Sequence, residues 1–317
     1  MENSYISFRR FRSEVIKKYQ SKDYAAALNL IDLEAGSFPE EQAQIAFWQV
    51  FLLALSEKTG MALATLRQAI DAGYWYSPQS LQEDTDLASL QDNPEFKRLA
   101  VICAERFHEA SQKTSPEWLL AFPANDAPKP YPLLVTLHGR STNAAKTLPF
   151  WQSVCARGWT VAALQSSQVI GMNSYCWDDQ ERAIREVKAS LAELLHSYPL
   201  DQDRVLLGGF SQGGGLAIWL ALQRLILCRG FIAVAPFLPE AETMTGNATQ
   251  RTVSSLQGFL VTGELDSYQQ MFDQIEKRLL ALQIACQRER YPELGHEYPP
   301  EFDRSLEKAL DFIFGGA

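Results

Sequence analysis

The chain has 317 residues, of which 46% are hydrophobic and 21% are charged, a composition typical of a water-soluble globular protein. It carries 29 basic and 38 acidic residues, for a net charge of −9. Such a balance offers no basic face for nucleic acid or for an anionic membrane. The chain also contains no apolar run of the roughly 20 residues that a membrane-spanning helix requires.

The cysteines and the first residues bear on the cellular compartment. The five cysteines are widely spaced, with no C-x-x-C pair, which predicts neither a disulfide framework nor a structural zinc site. The first residues, MENSYISFRRFRSEVIKKYQ, carry charges throughout and contain no apolar core followed by a small-residue cleavage site, so we expect no secretory signal. Together these features favour a cytoplasmic protein.

Residues 1–113 are predicted to form an all-helical domain. Three segments place apolar residues at helical spacing and end at a glycine: SKDYAAALNLIDLEAG, EEQAQIAFWQVFLLALSEKTG and MALATLRQAIDAG. The segments KDYAAALNLI and GMALATLRQAI resemble each other and are similar to the helical hairpins of tetratricopeptide repeats, although the period is irregular. We expect this domain either to pack on the rest of the protein without a ligand, or to bind a protein partner or a second copy of the chain.

Residues 114–317 are predicted to form an α/β domain. The proline-rich stretch SQKTSPEWLLAFPANDAPKPYP ends the helical pattern. Six short strand-like runs follow: PLLVTLHG, GWTVAALQ, DRVLLGG, GFIAVAPF, GFLVTGE and CQRERYP. Helical stretches lie among them at 178–196, 211–226, 267–284 and 299–314. This alternation predicts a mostly parallel sheet with helices on both faces.

The stretch RVLLGGFSQGGGLAIWL contains a G-x-S-x-G motif at Gly209, Ser211 and Gly213. The motif lies between a predicted strand and a predicted helix, which is the context that a serine nucleophile of this type requires. Glycines two residues before and after the serine permit a sharp turn without side-chain collision, and that turn exposes the hydroxyl at a helix N-terminus. We therefore predict that Ser211 is a nucleophile.

A serine hydroxyl needs a base to remove its proton, and the chain has four histidines. His108 lies in the helical region, and His196 lies near the end of an amphipathic helix, where solvent exposure explains it. His138 follows a strand but precedes the serine. His296, in YPELGHEYPPEF, lies in a loop between the last strand and the last helix, from which a side chain can reach the carboxyl edge of the sheet. We predict that His296 is the base.

The third group should be a carboxylate that orients the imidazole. The segment FLVTGELDS contains two candidates, Asp266 just past the turn at Gly263 and Glu264 within it. We assign Asp266 and keep Glu264 as the alternative. The resulting order of serine, aspartate and histidine along the chain differs from the orders of the two common serine-protease folds.

Four pieces of the sequence carry a resemblance to a known family. They are LHG after an early strand, GFSQGG, G-x-x-D, and GHEY before the last helix. The chain from about 115 to 317 resembles an α/β-hydrolase, closest to the compact carboxylesterases and acyl-protein thioesterases, in which these pieces recur in this order. The N-terminal helical region is a departure, because the minimal enzymes of that family lack it.

The resemblance implies a mechanism and several roles. The backbone amides of Gln212 and Arg140 would form an oxyanion hole, and His138 would tether its loop by hydrogen bonds. Ser211 would hydrolyse a small-molecule acyl ester or thioester through an acyl-enzyme, with no metal and no organic cofactor.

Two segments are candidates to cover the substrate pocket: the loop at 166–179, and the N-terminal helical region if it folds over the site. About twenty residues separate GFIAVAPF from GFLVTGE, too few for a large lid. The segment SSQVIGMNSYCWDD offers Tyr175 and Trp177, and Phe237 follows another strand. In WDDQE we expect Asp178 to cap the following helix and Glu181 to complete a capping box.

Two other functions fit parts of the sequence. A serine peptidase resembling prolyl oligopeptidases would share the catalytic residues and their order, but such enzymes carry a β-propeller where this chain is predicted to be helical. A scaffold protein would use the helical region to recruit a partner and keep the second domain inactive. The presence of all three catalytic groups with their flanking glycines argues against that scaffold.

Overall fold

The computed structural model of the chain describes residues 4–124, 127–239 and 256–315. The chain divides into two compact units. The first comprises Met1–Lys113 with Val169–Met172, and the second comprises Thr114–Gln168 with Asn173–Ala317. The short segment Val169–Met172 thus groups with the first unit, although it lies within the second along the sequence.

The first unit is helical and has a hydrophobic core of its own. The described helices are α1 (Ser4–Gln20), α2 (Tyr24–Glu34), α3 (Gln42–Leu55), α4 (Thr59–Asp71), α5 (Pro78–Gln82) and α6 (Pro94–Lys113). One buried cluster contains Phe8 stacked on Trp48, with ring centroids 5.7 Å apart. A second cluster surrounds Leu66 and Phe96. The three predicted helical segments correspond to α2, α3 and α4.

Nine strands lie in the described part of the chain after residue 113. They are β1 (Glu117–Ala121), β2 (Tyr131–Leu137), β3 (Thr160–Gln165), β4 (Gln168–Gly171), β5 (Ser174–Cys176), β6 (Leu200–Phe210), β7 (Gly230–Val234), β8 (Gln257–Gly263) and β9 (Ala285–Tyr291). Seven of them form one sheet in the order β1-β3-β2-β6-β7-β8-β9. β1 is antiparallel to β3 and the other neighbours are parallel. The predicted mostly parallel sheet is confirmed.

Helices cover both faces of this sheet. The described ones are α7 (Ala144–Trp151), α8 (Gln180–Ser197), α9 (Gln212–Leu222), α10 (Gln269–Ala281) and α11 (Phe302–Phe314). Residues of α8, α9 and α10 belong to one buried cluster, and residues of α7 and α11 belong to another. Leu133 and Val135 of β2 join the first cluster and Leu134 joins the second, as expected where successive side chains alternate between two buried faces.

The strand order determines where a binding crevice can form. β2 and β6 are neighbours, but the chain leaves β2 toward β3 on one side and leaves β6 toward β7 on the other. Such a switch point opens a crevice beyond the carboxyl ends of the strands. Leu137 at the end of β2 pairs with Gly209 near the end of β6. The loop after β2 and the turn after β6 therefore emerge side by side.

Candidate active site

Ser211 occupies a sharp turn between β6 and α9. Its backbone has φ 52° and ψ −119°, a conformation that non-glycine residues rarely adopt and that costs about 1–3 kcal/mol. The Ser211 N–H donates to the carbonyl of Val234 at 2.9 Å, and the Ser211 carbonyl accepts from the Phe237 N–H at 2.8 Å. The last residue of β7 and the segment after it thus hold both backbone groups of the strained residue.

The two glycines of the motif are required by close backbone approach. A Cβ atom at Gly209 would collide with the backbone of Gly213. A Cβ atom at Gly213 would collide with the carbonyl oxygens of Leu137 and His138, at the end of β2. The prediction that glycines are needed for an unobstructed turn is confirmed, and the contact at Gly213 brings the loop after β2 against the start of α9.

The structure brings the three predicted catalytic residues together in one hydrogen-bonded chain. Nε2 of His296 lies 2.8 Å from Oγ of Ser211, and Nδ1 of His296 lies 2.8 Å from Oδ2 of Asp266. The Asp266 side chain is fully buried, and the His296 side chain is 30% exposed. A buried carboxylate at Nδ1 favours the tautomer with its proton there, which leaves Nε2 free to accept the serine proton.

The alternative acid, Glu264, lies elsewhere. Its side chain is exposed, and its backbone N–H donates to the Tyr291 carbonyl at 2.9 Å. A hydrogen bond of 3.3 Å from the Asp266 N–H to the Gly263 carbonyl closes the turn. The turn therefore directs Asp266, rather than Glu264, toward His296.

The imidazole of His296 contacts two aromatic rings. The ring centroid of Phe210 is 5.1 Å from that of His296, and the ring centroid of Tyr268 is 5.3 Å away. Phe210 also stacks on Tyr298 at 4.7 Å. Neither Phe210 nor Tyr268 was predicted from the sequence as a site residue, although both stand within two residues of a predicted catalytic residue. These contacts restrict the rotation of the imidazole.

The two amides predicted for an oxyanion hole lie on the segments that meet at Gly213. Gln212 is the first residue of α9, so its N–H belongs to the first turn, whose amides have no partner within the helix and favour negative charge. Arg140 lies in the loop after β2 and precedes Ser141, which has φ 63°. The side chains of Arg140 and Gln212 also share a partner, Asp178.

His138 has the hydrogen bonds expected of a tether. Its buried ring places Nδ1 2.8 Å from the Gly139 carbonyl, and its Nε2 accepts from the Ser166 N–H at 3.3 Å. Burial lowers the pKa of His138 to about 4, so the ring is neutral near pH 7. It joins the loop after β2 to the segment after β3.

The three candidate pocket residues have different surroundings. Trp177 is only 5% exposed; its ring stacks on His138 at 4.8 Å, and its Nε1 donates to the His138 carbonyl at 2.9 Å. We therefore describe Trp177 as a packing residue. Tyr175 and Phe237 are half-buried, and Phe237 makes an edge contact with Tyr268 at 5.3 Å.

The predicted cap of the helix after WDDQE was wrong by one residue. α8 begins at Gln180, and its cap is Asp179, which accepts from the Arg182 N–H at 2.9 Å. Glu181 makes an ion pair with Arg185 at 3.7 Å and does not stand three residues after the cap, where a capping box requires it. Two adjacent aspartates give the same local pattern, so only their tertiary contacts distinguish them.

No part of the described structure holds three or more histidine, cysteine, aspartate or glutamate side chains placed to bind a metal ion. None of the described helices has the length and apolar character needed to cross a membrane.

The fold and the site define an α/β-hydrolase. Residues 168–314 match the family model described as Phospholipase/Carboxylesterase, and residues 7–111 match a model described as A/B hydrolase-like, N-terminal domain. The chain is therefore an ester hydrolase whose α/β unit is similar to the phospholipase/carboxylesterase family. No curated protein sequence matches the chain.

Solved structures extend the comparison to both units. An uncharacterized protein from Bacillus cereus ATCC 10987 is 26% identical, with 98% of this chain and 99% of that chain covered and a TM-score of 0.54. A Bacillus cereus carboxylesterase is 16% identical over 65% of this chain and 99% of its own, with a TM-score of 0.52. Zea mays acyl-protein thioesterase 2 is 18% identical over 63% of this chain and 99% of its own, with a TM-score of 0.50. The last two share the fold of the α/β unit.

Proposed function

We propose that this enzyme hydrolyses carboxylic esters or thioesters of small acyl compounds through a covalent acyl-enzyme on Ser211. His296 acts as the base and Asp266 orients it. The observation that carries the proposal is the continuous hydrogen-bonded chain from Ser211 Oγ through both ring nitrogens of His296 to Asp266. An unassisted serine hydroxyl is a weak nucleophile, and in this arrangement Nε2 of His296 is the acceptor for its proton.

The proposed reaction has two steps. Ser211 Oγ attacks the substrate carbonyl while Nε2 of His296 takes its proton, and the backbone amides of Gln212 and Arg140 stabilise the oxyanion. His296 then returns the proton to the leaving alcohol or thiol. Water then attacks the acyl-enzyme while His296 takes a proton from it, and His296 passes that proton to Ser211 Oγ as the bond to the acyl group breaks and the carboxylic acid leaves. Asp266 stays ionised throughout and stabilises the imidazolium.

The surroundings of the triad are consistent with an acyl substrate. Phe237 and Tyr175 are retained as candidate pocket residues because both are half-buried. Phe237 is tied to the nucleophile through its N–H, which donates to the Ser211 carbonyl. Its ring contacts that of Tyr268, which in turn contacts His296, and aromatic side chains at the site suit an apolar acyl group better than a charged one.

Covalent labelling tests the proposal directly. The full-length protein is incubated with a fluorophosphonate, and the labelled residue is located by mass spectrometry, with Ser211→Ala as the matched control. Unlabelled protein is assayed in parallel against p-nitrophenyl esters of increasing chain length, the corresponding thioesters and a peptide anilide, and the labelled protein serves as the inactivated control. We expect labelling at Ser211 alone and hydrolysis of esters or thioesters. Faster cleavage of the anilide would indicate a peptidase, and absence of both labelling and hydrolysis would indicate an inactive scaffold.

A further inference from the structure

Four consecutive residues connect the two sides of the proposed oxyanion hole. We call Tyr175 to Asp178 the clamp segment. On one side the clamp segment binds the loop after β2 through backbone hydrogen bonds. The Ser141 N–H donates to the Tyr175 carbonyl at 2.9 Å, and the Tyr175 N–H donates to the Thr142 carbonyl at 3.1 Å. The loop that carries Arg140 is therefore fixed at its far end.

On the other side the clamp segment holds the side chain of Gln212. The Gln212 Oε1 accepts from the Trp177 N–H at 2.9 Å, and the Gln212 Nε2 donates to Oδ1 of Asp178 at 2.7 Å. Both polar ends of this side chain are thus engaged by the clamp segment. Because the side chain and the backbone N–H belong to the same residue, these bonds restrict the orientation of the amide proposed to receive the oxyanion.

Asp178 by itself joins the two sides. Its Oδ2 accepts from Nη2 of Arg140 at 2.9 Å, and its Oδ1 lies 3.3 Å from Nε of Arg140, while Oδ1 also accepts from Gln212. Burial alone would raise the pKa of the Asp178 carboxyl, but the hydrogen bonds from Arg140 and Gln212 outweigh burial and hold that pKa below its ordinary value. The bidentate geometry with Arg140 is directional as well as charged.

A contribution to the stability of the fold does not explain why Asp178 binds Arg140 and Gln212. The side chains of Arg140 and Asp178 are each 46% exposed, and ion pairs as accessible as this contribute little to the free energy of unfolding. The cap of α8 is supplied separately by Asp179. The position of Asp178 between the two amide-bearing segments needs another explanation.

We propose that Asp178 is a positioning residue for ester hydrolysis. By binding the side chains of Arg140 and Gln212, it holds their backbone amides at the separation that the oxyanion needs. This role rests on the proposed function, in which those two amides form the oxyanion hole. Donors of this kind act at about 2.7–3.1 Å from the developing oxyanion, and a displacement of about 1 Å can lower a rate by about 100-fold.

Asp178→Asn is the direct test, because it preserves shape while removing the charge that binds Arg140. We expect kcat to fall by about 10- to 100-fold while KM changes by less than about twofold. Affinity for a trifluoromethyl ketone, which forms a tetrahedral adduct with a catalytic serine, should fall by the same factor as kcat/KM. Asp179→Asn removes a carboxylate one residue away and keeps a good helix cap, so its kcat should equal that of the wild type.

Arg140→Gln tests the same link from the other partner and leaves the Arg140 backbone amide in place. Its loss of kcat should not add to that of Asp178→Asn in the double variant, because both substitutions remove the same ion pair between Arg140 and Asp178. If Asp178→Asn lacks a cooperative thermal transition, Arg140→Gln alone decides the outcome. It supports the proposal when kcat falls at constant KM and overturns it when kcat is unchanged.

The results separate this proposal from the proposed function. A wild-type protein that hydrolyses no ester and is not labelled by fluorophosphonate overturns both. If the wild type is active and the folded Asp178→Asn variant keeps its kcat, or changes only in KM, the positioning role is overturned. The proposed function then still stands.

Discussion

The carboxylate of Asp266 is fully buried against the imidazole of His296, with Oδ2 2.8 Å from Nδ1, whereas Glu264 is exposed. The Oδ1 atom of Asp266 also accepts from the Tyr268 N–H at 3.0 Å, so both carboxylate oxygens are held. A carboxylate fixed in this way can select one imidazole tautomer, and an exposed one is screened by solvent.

Asp266→Asn should therefore lower kcat far more than Glu264→Gln. The asparagine keeps the shape of the side chain but can place a donor where an acceptor is needed, which favours the wrong tautomer of His296. The corresponding change in a serine protease triad lowers kcat by about 10⁴-fold, and we expect a loss of this order. Initial rates of ester hydrolysis near neutral pH measure it.

A thermal melt of each variant controls for unfolding in this comparison. Asparagine retains an Oδ1 atom that can accept from the Tyr268 N–H, so most of the local turn should persist. If Glu264→Gln were the more damaging of two folded variants, the role of the acid would pass to Glu264.

Ser211→Ala and His296→Ala should each abolish nearly all esterase activity, and the double variant should be no slower than the slower single one. The two side chains act in a single proton transfer, so removing the second adds no further loss. The residual rates of the three variants are compared over long incubations. Independent roles would appear as a double-variant loss equal to the product of the single losses.

Gly213→Ala should disrupt the turn that carries Ser211. Its methyl group would collide with the backbone carbonyls of Leu137 and His138. Backbone atoms cannot relieve such a collision by rotating, as a side chain can. We expect a destabilisation of several kcal/mol or insoluble protein. Gly60→Ala is the matched control, because Gly60 lies in α4 with nothing within 4 Å of the added atom. It should be neutral or stabilising by up to about 1 kcal/mol.

His138 should make stability depend on pH. The pKa of this buried ring is lowered to about 4 from an ordinary value of 6.5. Between these two values the unfolded chain binds a proton that the folded chain does not. The free energy of unfolding therefore falls as the pH drops below about 6.5, by up to about 1.4 kcal/mol per pH unit, and levels off below about pH 4.

Urea unfolding of wild type and His138→Gln at pH 7.5 and pH 5 isolates this effect. The variant is less stable at both values because it loses the buried contacts of the ring, but its stability should decline less between them. Groups that titrate in both proteins cancel in the difference. Equal declines would show that His138 makes no contribution to the pH dependence.

Much of the α/β fold could be predicted from the sequence because the signals are local. The run PLLVTLHG is mostly apolar, as expected of a strand with two buried faces, and its residues up to Leu137 lie in β2. The glycines around Ser211 report a close backbone approach that any chain making this turn must satisfy. Other elements were less visible. α7 contains Pro149, which weakens the helical signal, and the edge strand β1 lies between Pro116 and Pro123.

The sequence by itself determined the identity and order of the proposed catalytic side chains, because strand, turn and loop patterns place Ser211 and His296 at the carboxyl edge of one sheet. Only the tertiary structure decided which neighbour each side chain meets. Asp178 and Asp179 have the same local pattern, yet one caps α8 and the other binds Arg140. That choice depends on the loop after β2, which lies nearly forty residues earlier and comes close through the pairing of β2 with β3 and the bridge between Thr142 and Tyr175.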